Sequence, residues 1–311
     1  MALTKLNIER PAEDGRGVPR DRYKRPLIHV PNECSLCKGT AKKAQEHKLI
    51  PYTRTTTFND CIEDKSALGR YDKRNVLLGA TKAPELVAEA QWLDPEDPAD
   101  KKRLNEIAEK LVSLSGADAK REKGSDLHEM SEYVDRGEPL PEAIRRKGRP
   151  LTPVTEADVA DMAAYKLATI DLEVQHIERL VVCDELRVAG TPDRVIYYHG
   201  PGPDGLVIDG NLIADLKTGT LEYGALKMAI QLAIYARGEF YDSETMTRSP
   251  MPEIRRDWGI IINLPPGSET AELHWLDLSV GWDAALLARD VRAMRNMTKK
   301  VLRPFRVTPS P

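Results

Sequence analysis

No stretch of this chain is apolar for long enough to span a bilayer, and Met1 to Arg10 has no apolar core of the kind a secretory leader needs. Both absences lead to the expectation of a cytoplasmic protein that makes no membrane contact. Cysteine is scarce, at four in 311 residues, which excludes a disulfide framework. Neither sign of charge dominates. The formal net charge is −3, so any nucleic-acid contact must come from local basic patches and not from a global field. There is no internal repeat and no low-complexity tract. Neither a P-loop nor a dinucleotide-binding glycine pattern is present, which argues against a nucleotide-binding enzyme. What remains, 41% hydrophobic and 31% charged residues, describes a soluble globular chain with material for one large core or two modest domains.

The composition divides the chain into three. Residues 1–50 have weak periodicity and many Arg, Lys, Pro and Gly, and read as a loosely ordered arm. Within it lies Cys34-Ser35-Leu36-Cys37, with His47 and Cys61 further on. A metal needs four such ligands converging tetrahedrally, so Cys34, Cys37 and Cys61 are candidates for Zn²⁺ or an iron–sulfur cluster, against free thiols in a turn. Cys183 lies in an apolar strand pattern and reads as a core thiol.

Residues 51–150 read as helical: from Thr55 through Ala67, then around 74–80, 83–92 and 99–114. Ser125 or Asp126 is the expected N-cap of a short helix to Val134, which places His128 in its first turn. The basic run from Arg145 to Arg149 reads as a solvated loop that can also touch a phosphate backbone.

Residues 151–311 turn from a helix starting at Thr155 to short strands: 181–183, 186–188 and 195–198. Leu206-Val207-Ile208 is expected to pair across Asp209-Gly210 with Leu212-Ile213-Ala214, because Asp-Gly between apolar runs is a hairpin signal. A helix over 222–238 with Leu226, Ile230 and Ala233 inward comes next. Strands over 257–264 and 271–278 and a final helix from about 282 to 300 complete the pattern. On that last helix Leu287, Val291 and Met294 form the expected inward stripe. Arg289, Arg292, Arg295, Lys299 and Arg303 form a separate basic stripe, a candidate DNA contact. Seven basic residues and one acidic residue lie between Arg289 and Arg306.

The chemistry concentrates between Gly190 and Tyr235. Gly190-Thr191-Pro192-Asp193-Arg194 precedes Asp215-Leu216-Lys217-Thr218-Gly219, and Gln231 and Tyr235 follow on a helix. Strand alternation puts Asp215 and Lys217 on one face with Leu216 in the core. Phosphodiester hydrolysis needs a nucleophile at neutral pH, charge neutralisation on the phosphate and help for the leaving oxygen, and divalent cations held by carboxylates supply all three. Two aspartates and a backbone carbonyl suit Mg²⁺, and an added histidine nitrogen favours Mn²⁺. A lysine beside them can orient or deprotonate water and stabilise the phosphorane. Gln231 and Tyr235, four residues apart, share a helix face with Lys227 one turn earlier, within reach of a phosphate or base.

In order, Gly124 to His128 (G-x-x-x-H), Glu178, Gly190 to Arg194 (G-T-P-D-R), Asp215 to Gly219 (D-L-K-T-G) and Gln231 to Tyr235 (Q-x-x-x-Y) resemble RecB-type nucleases of the PD-(D/E)XK superfamily. The branch that looks closest is that of the CRISPR-associated adaptation exonucleases and their phage-borne relatives. The likeness covers about residues 124 to 240. It implies a restriction-endonuclease-like α/β core, a mixed sheet flanked by helices, with an N-terminal helical region over a DNA channel. It implies that His128, Asp193, Asp215 and the Leu216 carbonyl bind Mg²⁺ or Mn²⁺. It makes Lys217 the catalytic lysine, Gln231 and Tyr235 substrate-positioning groups, and Glu178 an accessory acid.

The implied activity is DNA exonuclease action on single strands or ends, in recombination, repair or phage DNA metabolism, and in the host cytoplasm if a phage encodes it. A homo-oligomer or a recombination protein is the further partner such a role suggests. The alternatives are a non-catalytic DNA-binding or assembly protein that keeps the fold, and a structure-specific endonuclease. Cluster-bearing relatives take one cysteine before the core and three after it, whereas this chain has none after Cys183, which argues against a cluster of that kind.

Overall fold

The computed structural model describes residues 18–40, 46–145, 150–297 and 301–302. In chain order the elements are β1 (Leu27–His29), a 3-10 turn (Pro31–Glu33), β2 (Leu49–Pro51), β3 (Thr53–Arg54), α1 (Thr55–Phe58) and a second 3-10 turn (Asn59–Cys61). There follow α2 (Ser66–Ala80), α3 (Pro84–Ala90), α4 (Pro98–Ser115), α5 (Ala117–Asp135), β4 (Ala143–Ile144), β5 (Thr152–Pro153) and α6 (Glu156–Ala168). The remainder is β6 (Glu173–Ile177), β7 (Val181–Cys183), β8 (Val188–Gly190), β9 (Arg194–Pro201), β10 (Val207–Lys217), α7 (Ala225–Tyr235), β11 (Glu239–Asp242), β12 (Thr247–Ser249), β13 (Trp258–Asn263), β14 (Glu272–Asp277) and α8 (Leu278–Arg295). The chain is α/β, with mixed sheets and flanking helices. No helix among the described residues is long and apolar enough to cross a membrane.

Two compact units divide the chain. One takes residues 1–63, 167–263 and 271–311, and the other takes 64–166 and 264–270. In the second, Asp97 caps α4 by accepting from the Ala99 and Asp100 amides, with Pro98 at the first helical position. Gly116, at φ +97°, ends α4 and lets α5 start at once. Ile107 and Leu111 of α4 bury their side chains with Ala83. Asp161 of α6 accepts from the Gly267 and Glu269 amides and so holds the 264–270 loop.

In the first unit the central sheet has the order β14-β13-β10-β9-β6. β9 pairs antiparallel with both β6 and β10, and β13 lies parallel to β10 after the crossover that contains α7. The Ile260-Ile261-Ile262 run of β13 is buried throughout, the pattern of a strand covered on both faces. A second sheet, β12-β11-β7-β8-β3, joins the hairpins 181–190 and 239–249 to the two-residue strand β3. α8 packs on α7 through small residues, Gly281, Ala285 and Ala288, with Gly281 so close to the Ala229 carbonyl that a Cβ there would overlap it.

Several sequence expectations are corrected. The 1–50 arm is not loose over its described part: β1 and β2 pair antiparallel, and Ile28 and Tyr52 pack on Val182, Ala189 and Tyr241. The helix from Thr55 stops at Phe58, and the next begins only at Ser66. Asp209-Gly210 makes no hairpin. β10 runs straight through it, pairing Asp209 with His199 and Gly210 with Tyr198, because the turn at 202–205 already reverses the chain. Gly210 fits there at φ +153°, and the Tyr197 hydroxyl donates to the Asp209 carboxylate.

On α7, Leu226 is exposed and the helix is buried from Met228 to Tyr235 except at Gln231. On α8, Leu287 and Met294 point outward, since a close helix–helix approach selects the glycine and alanine face over the leucine face. Lys299 and Arg303 of the basic stripe, and residues 146–149 of the basic run, lie outside the described residues.

The α7–α8 contact gives a direct test. Gly281→Ala gains about 1 kcal/mol of helix propensity, yet overpacking against the Ala229 carbonyl costs about 1–3 kcal/mol, so chemical denaturation should show net destabilisation. A midpoint equal to or above that of the parent would contradict the close packing.

Candidate active site

The antiparallel registers align three acidic positions across one end of the central sheet. Arg194 pairs with Ala214, so Asp193, just before β9, stands opposite Asp215 of β10. Ile177 pairs with Arg194, and the Glu178 amide donates to the Asp193 carbonyl at 3.0 Å, so Glu178 completes the row beyond β6. Glu178 holds φ +49°, a turn conformation that ends β6 at this point. The 15-residue spacing from Glu178 to Asp193 collapses because β7 and β8 leave the sheet as a separate hairpin, and the 22-residue spacing from Asp193 to Asp215 because β9 and β10 pair antiparallel.

Asp193 is fixed by its surroundings. Its carboxylate accepts from the Leu216 amide at 2.8 Å and lies 4.0 Å from the guanidinium of Arg194, which is 1% exposed. Asp215 is likewise 1% exposed and forms an ion pair with Lys217, two residues on and on the same strand face. Burial works against the Lys217 ammonium, but the carboxylates of Asp215 and Asp193 outweigh it and hold its pKa above the ordinary 10.5. The lysine is therefore a firm cation at neutral pH, placed where two carboxylates meet.

The helix α7 brings the second half of the group. Tyr235 is buried; burial pushes its phenol pKa well up, and the Asp215 and Asp193 carboxylates push in the same direction, against hydrogen bonding from Thr55 and Gln231. The hydroxyl is thus a proton donor throughout the physiological range, in the field of both aspartates. Gly190 of β8 is required here, since a Cβ would overlap Thr55 Oγ1 and the Tyr235 hydroxyl. Asp193, Asp215, Lys217, Gln231 and Tyr235 are brought together, and Leu216 is buried between the two charged residues of its strand.

Other expected residues have settings that differ from their sequence reading. His128 is half-buried in the middle of α5, not in the first turn of a short helix, because α5 begins at Ala117 and Ser125 and Asp126 lie inside it. α5 belongs to the helical unit. Lys227 does not accompany Gln231 and Tyr235: its ammonium pairs with Asp60 and Glu63. Arg292 donates to the Thr57 carbonyl and Thr53 Oγ1 and lies 5.3 Å from the Phe58 ring, Arg295 donates to the Cys61 carbonyl, and Arg289 pairs with Asp290. Two of the five residues read as a DNA-facing stripe therefore bind the chain's own segment 53–61.

Two residues at the site escape sequence reading. Thr55 lies beside Tyr235 from more than a hundred residues upstream, in a Thr-Thr-Thr run that reads as a helix cap. Asn263 of β13 pairs in register with Lys217, so its side chain shares that face, and its Oδ1 is buried with no hydrogen-bond partner among the described residues. A polar residue closing an apolar strand is the only signal for Asn263, and it is a weak one.

Among the described residues, one group of histidines and cysteines is arranged so that it could hold a metal: His29, Cys34, Cys37 and His47. Hydrogen bonds from the Cys37 and then the Lys48 amides bring the Cys34 thiol down to about 5. Desolvation and the adjoining Cys34 push Cys37 up. Cys61 is not a member; its sulfur faces the Phe58 and Ala288 carbonyls. Cys183 is buried in β7.

Comparison with known proteins finds no family model and no curated protein that matches this chain.

The raised Lys217 pKa carries a pH dependence. Its ammonium binds a proton more tightly folded than unfolded, so the stabilisation is complete below about pH 10.5 and drains away as pH rises through the folded value. Unfolding measured from pH 7 to 12 in Lys217→Met should lose that alkaline component. An unchanged alkaline slope would contradict the pairing.

Proposed function

We propose that the chain is a divalent-metal-dependent DNA exonuclease built on a restriction-endonuclease-like core. The observation that carries this reading is the meeting of Asp193 and Asp215 across β9 and β10 with Lys217 on the same face. The donor set fits the ion: carboxylate oxygens at a strand end, without sulfur, suit a hard cation such as Mg²⁺ or Mn²⁺. Asp193, Asp215 and the Leu216 carbonyl would hold it, and the fixed Asp193 carboxylate and buried Asp215 are pre-oriented for that task. Such an ion supplies charge neutralisation at the scissile phosphate and a more acidic attacking water.

The chain's own groups then have distinct work. Lys217 keeps its proton at neutral pH, so it orients water and offsets the charge that builds on the phosphorane, in preference to acting as a base. Tyr235 and Gln231 donate hydrogen bonds to the substrate backbone from the α7 side. Glu178, beside Asp193 in the row, is an accessory acid that adds negative charge for a second cation. His128, the remaining ligand in the resemblance, belongs to the helical unit, and the reading rests on the core unit without it.

DNA with free single-stranded ends is the substrate class proposed. The experiment compares linear and circular single-stranded DNA with Mg²⁺, Mn²⁺ or chelator. Loss of the linear strand only, dependent on metal, is expected; cutting of the circle would make the protein an endonuclease. Asp215→Ala and Lys217→Ala should each cut activity by about 100- to 1,000-fold, while circular dichroism stays that of the parent. Wild-type turnover in either variant would refute the site. Binding of DNA ends without cleavage under any metal would support the non-catalytic alternative.

A further inference from the structure

We infer that His29, Cys34, Cys37 and His47 form a closed structural zinc site that staples the β1–β2 hairpin to the core unit. The inference stands apart from the nuclease reading. The four donor atoms lie within 4.8 Å of one another. Cys37 Sγ is 3.4 Å from His29 Nε2 and 3.3 Å from His47 Nδ1, and Cys34 Sγ is 3.7 Å from His47 Nδ1. Ideal tetrahedral zinc, with bonds near 2.3 Å to sulfur and near 2.05 Å to nitrogen, has S···N edges of about 3.5 Å. The three distances bracket that edge, and the set as a whole, within 4.8 Å, needs to close by at most about 1–1.5 Å at its widest to reach the edges of about 3.3–3.8 Å around a tetrahedral zinc ion. The two imidazoles meet edge to face, with centroids 4.7 Å apart and planes at 74°.

The chemistry of the set selects the ion. Two thiolates and two imidazoles suit Zn²⁺ and do not suit Mg²⁺ or Ca²⁺. The set has no third or fourth thiolate for an iron–sulfur cluster of the usual kind, and Cys61 is occupied elsewhere. Four protein ligands leave no open position, which makes the site structural and not catalytic.

The ligands also show what the ion would do. His29 ends β1, Cys34 follows the 3-10 turn, Cys37 lies in the next turn, and His47 stands two residues before β2. Between these short strands, residues 31–40 are exposed except for buried Cys34 and half-buried Leu36, and a shared ion would tie this segment to His47. The closed hairpin presents Ile28 and Tyr52 to the second sheet, while the His29 amide donates to the Tyr241 hydroxyl at 3.0 Å. The chain then passes directly into β3, where Thr53 pairs with Val188, and to Thr55 beside Tyr235. Zinc at one end of this segment thus holds a residue of the candidate active site at the other.

The test is metal analysis of the full-length protein purified without chelator. About one zinc per chain is expected, falling to near zero in Cys37→Ala and His47→Ala and staying near one in Cys61→Ser. Cys37 is exposed, so its replacement leaves the folded core otherwise intact. Cobalt exchanged into the parent should give the visible bands of a tetrahedral thiolate site, absent from Cys37→Ala. Iron with bound sulfide, a Cys34–Cys37 disulfide in metal-free protein, or zinc retained by both ligand variants would each overturn the assignment.

Discussion

The hydrogen bond from the Leu216 amide to the Asp193 carboxylate is the constraint on which the candidate site depends. It joins the residue before β9 to the last turn of pleat in β10, and so fixes the strand ends that carry every charged group of the site. With Asp193 held, the register places Asp215 opposite it and Glu178 on its other side. Asp215 then lies in a buried position where its charge needs a counter-ion, and Lys217 supplies one. A hydrogen bond to a carboxylate is stronger than one between neutral groups and its removal strands the acceptor. The geometry is accordingly stiff at the aspartates and adaptable at the lysine, whose side chain is 30% exposed.

The site's strand residues were legible because a two-residue period is short-range information. Asp215-Leu216-Lys217 places two polar groups on one face wherever the strand lies. The N-terminal cluster was legible only in part, through Cys34 and Cys37 with His47 nearby. His29 and His47 join Cys34 and Cys37 through chain reversal, and a C-x-x-C pair with a distant Cys61 points to the wrong third ligand. The Asp209-Gly210 signal failed for a related reason: a long antiparallel partner, β9, overrides a local turn preference when its own turn lies a few residues earlier. On α8 the apolar stripe was misread because periodicity reports hydrophobicity, whereas helices that approach closely select small side chains. Arg292 shows the same limit for charge, since its partners lie more than two hundred residues upstream.

The two metal sites inferred from this chain divide by ligand chemistry. The sheet end offers oxygen donors beside a lysine, suited to an ion that exchanges water and substrate. The N-terminal hairpin offers sulfur and nitrogen in a closed set, suited to an ion that stays. The segment from His47 to Thr55 links them, so the second ion supports the first only through backbone order. That arrangement lets a strand pair of six residues, too short to be stable alone, position Thr55 beside Tyr235.

The central claim is that the Asp193–Asp215 pair holds a divalent cation, and Mn²⁺ binding measures this most directly. Electron paramagnetic resonance of free Mn²⁺, titrated with zinc-loaded protein, should show saturable uptake by the parent, and strong loss of uptake in Asp215→Asn and Asp193→Asn. Parent-like uptake in both variants, or none in the parent, would contradict the account.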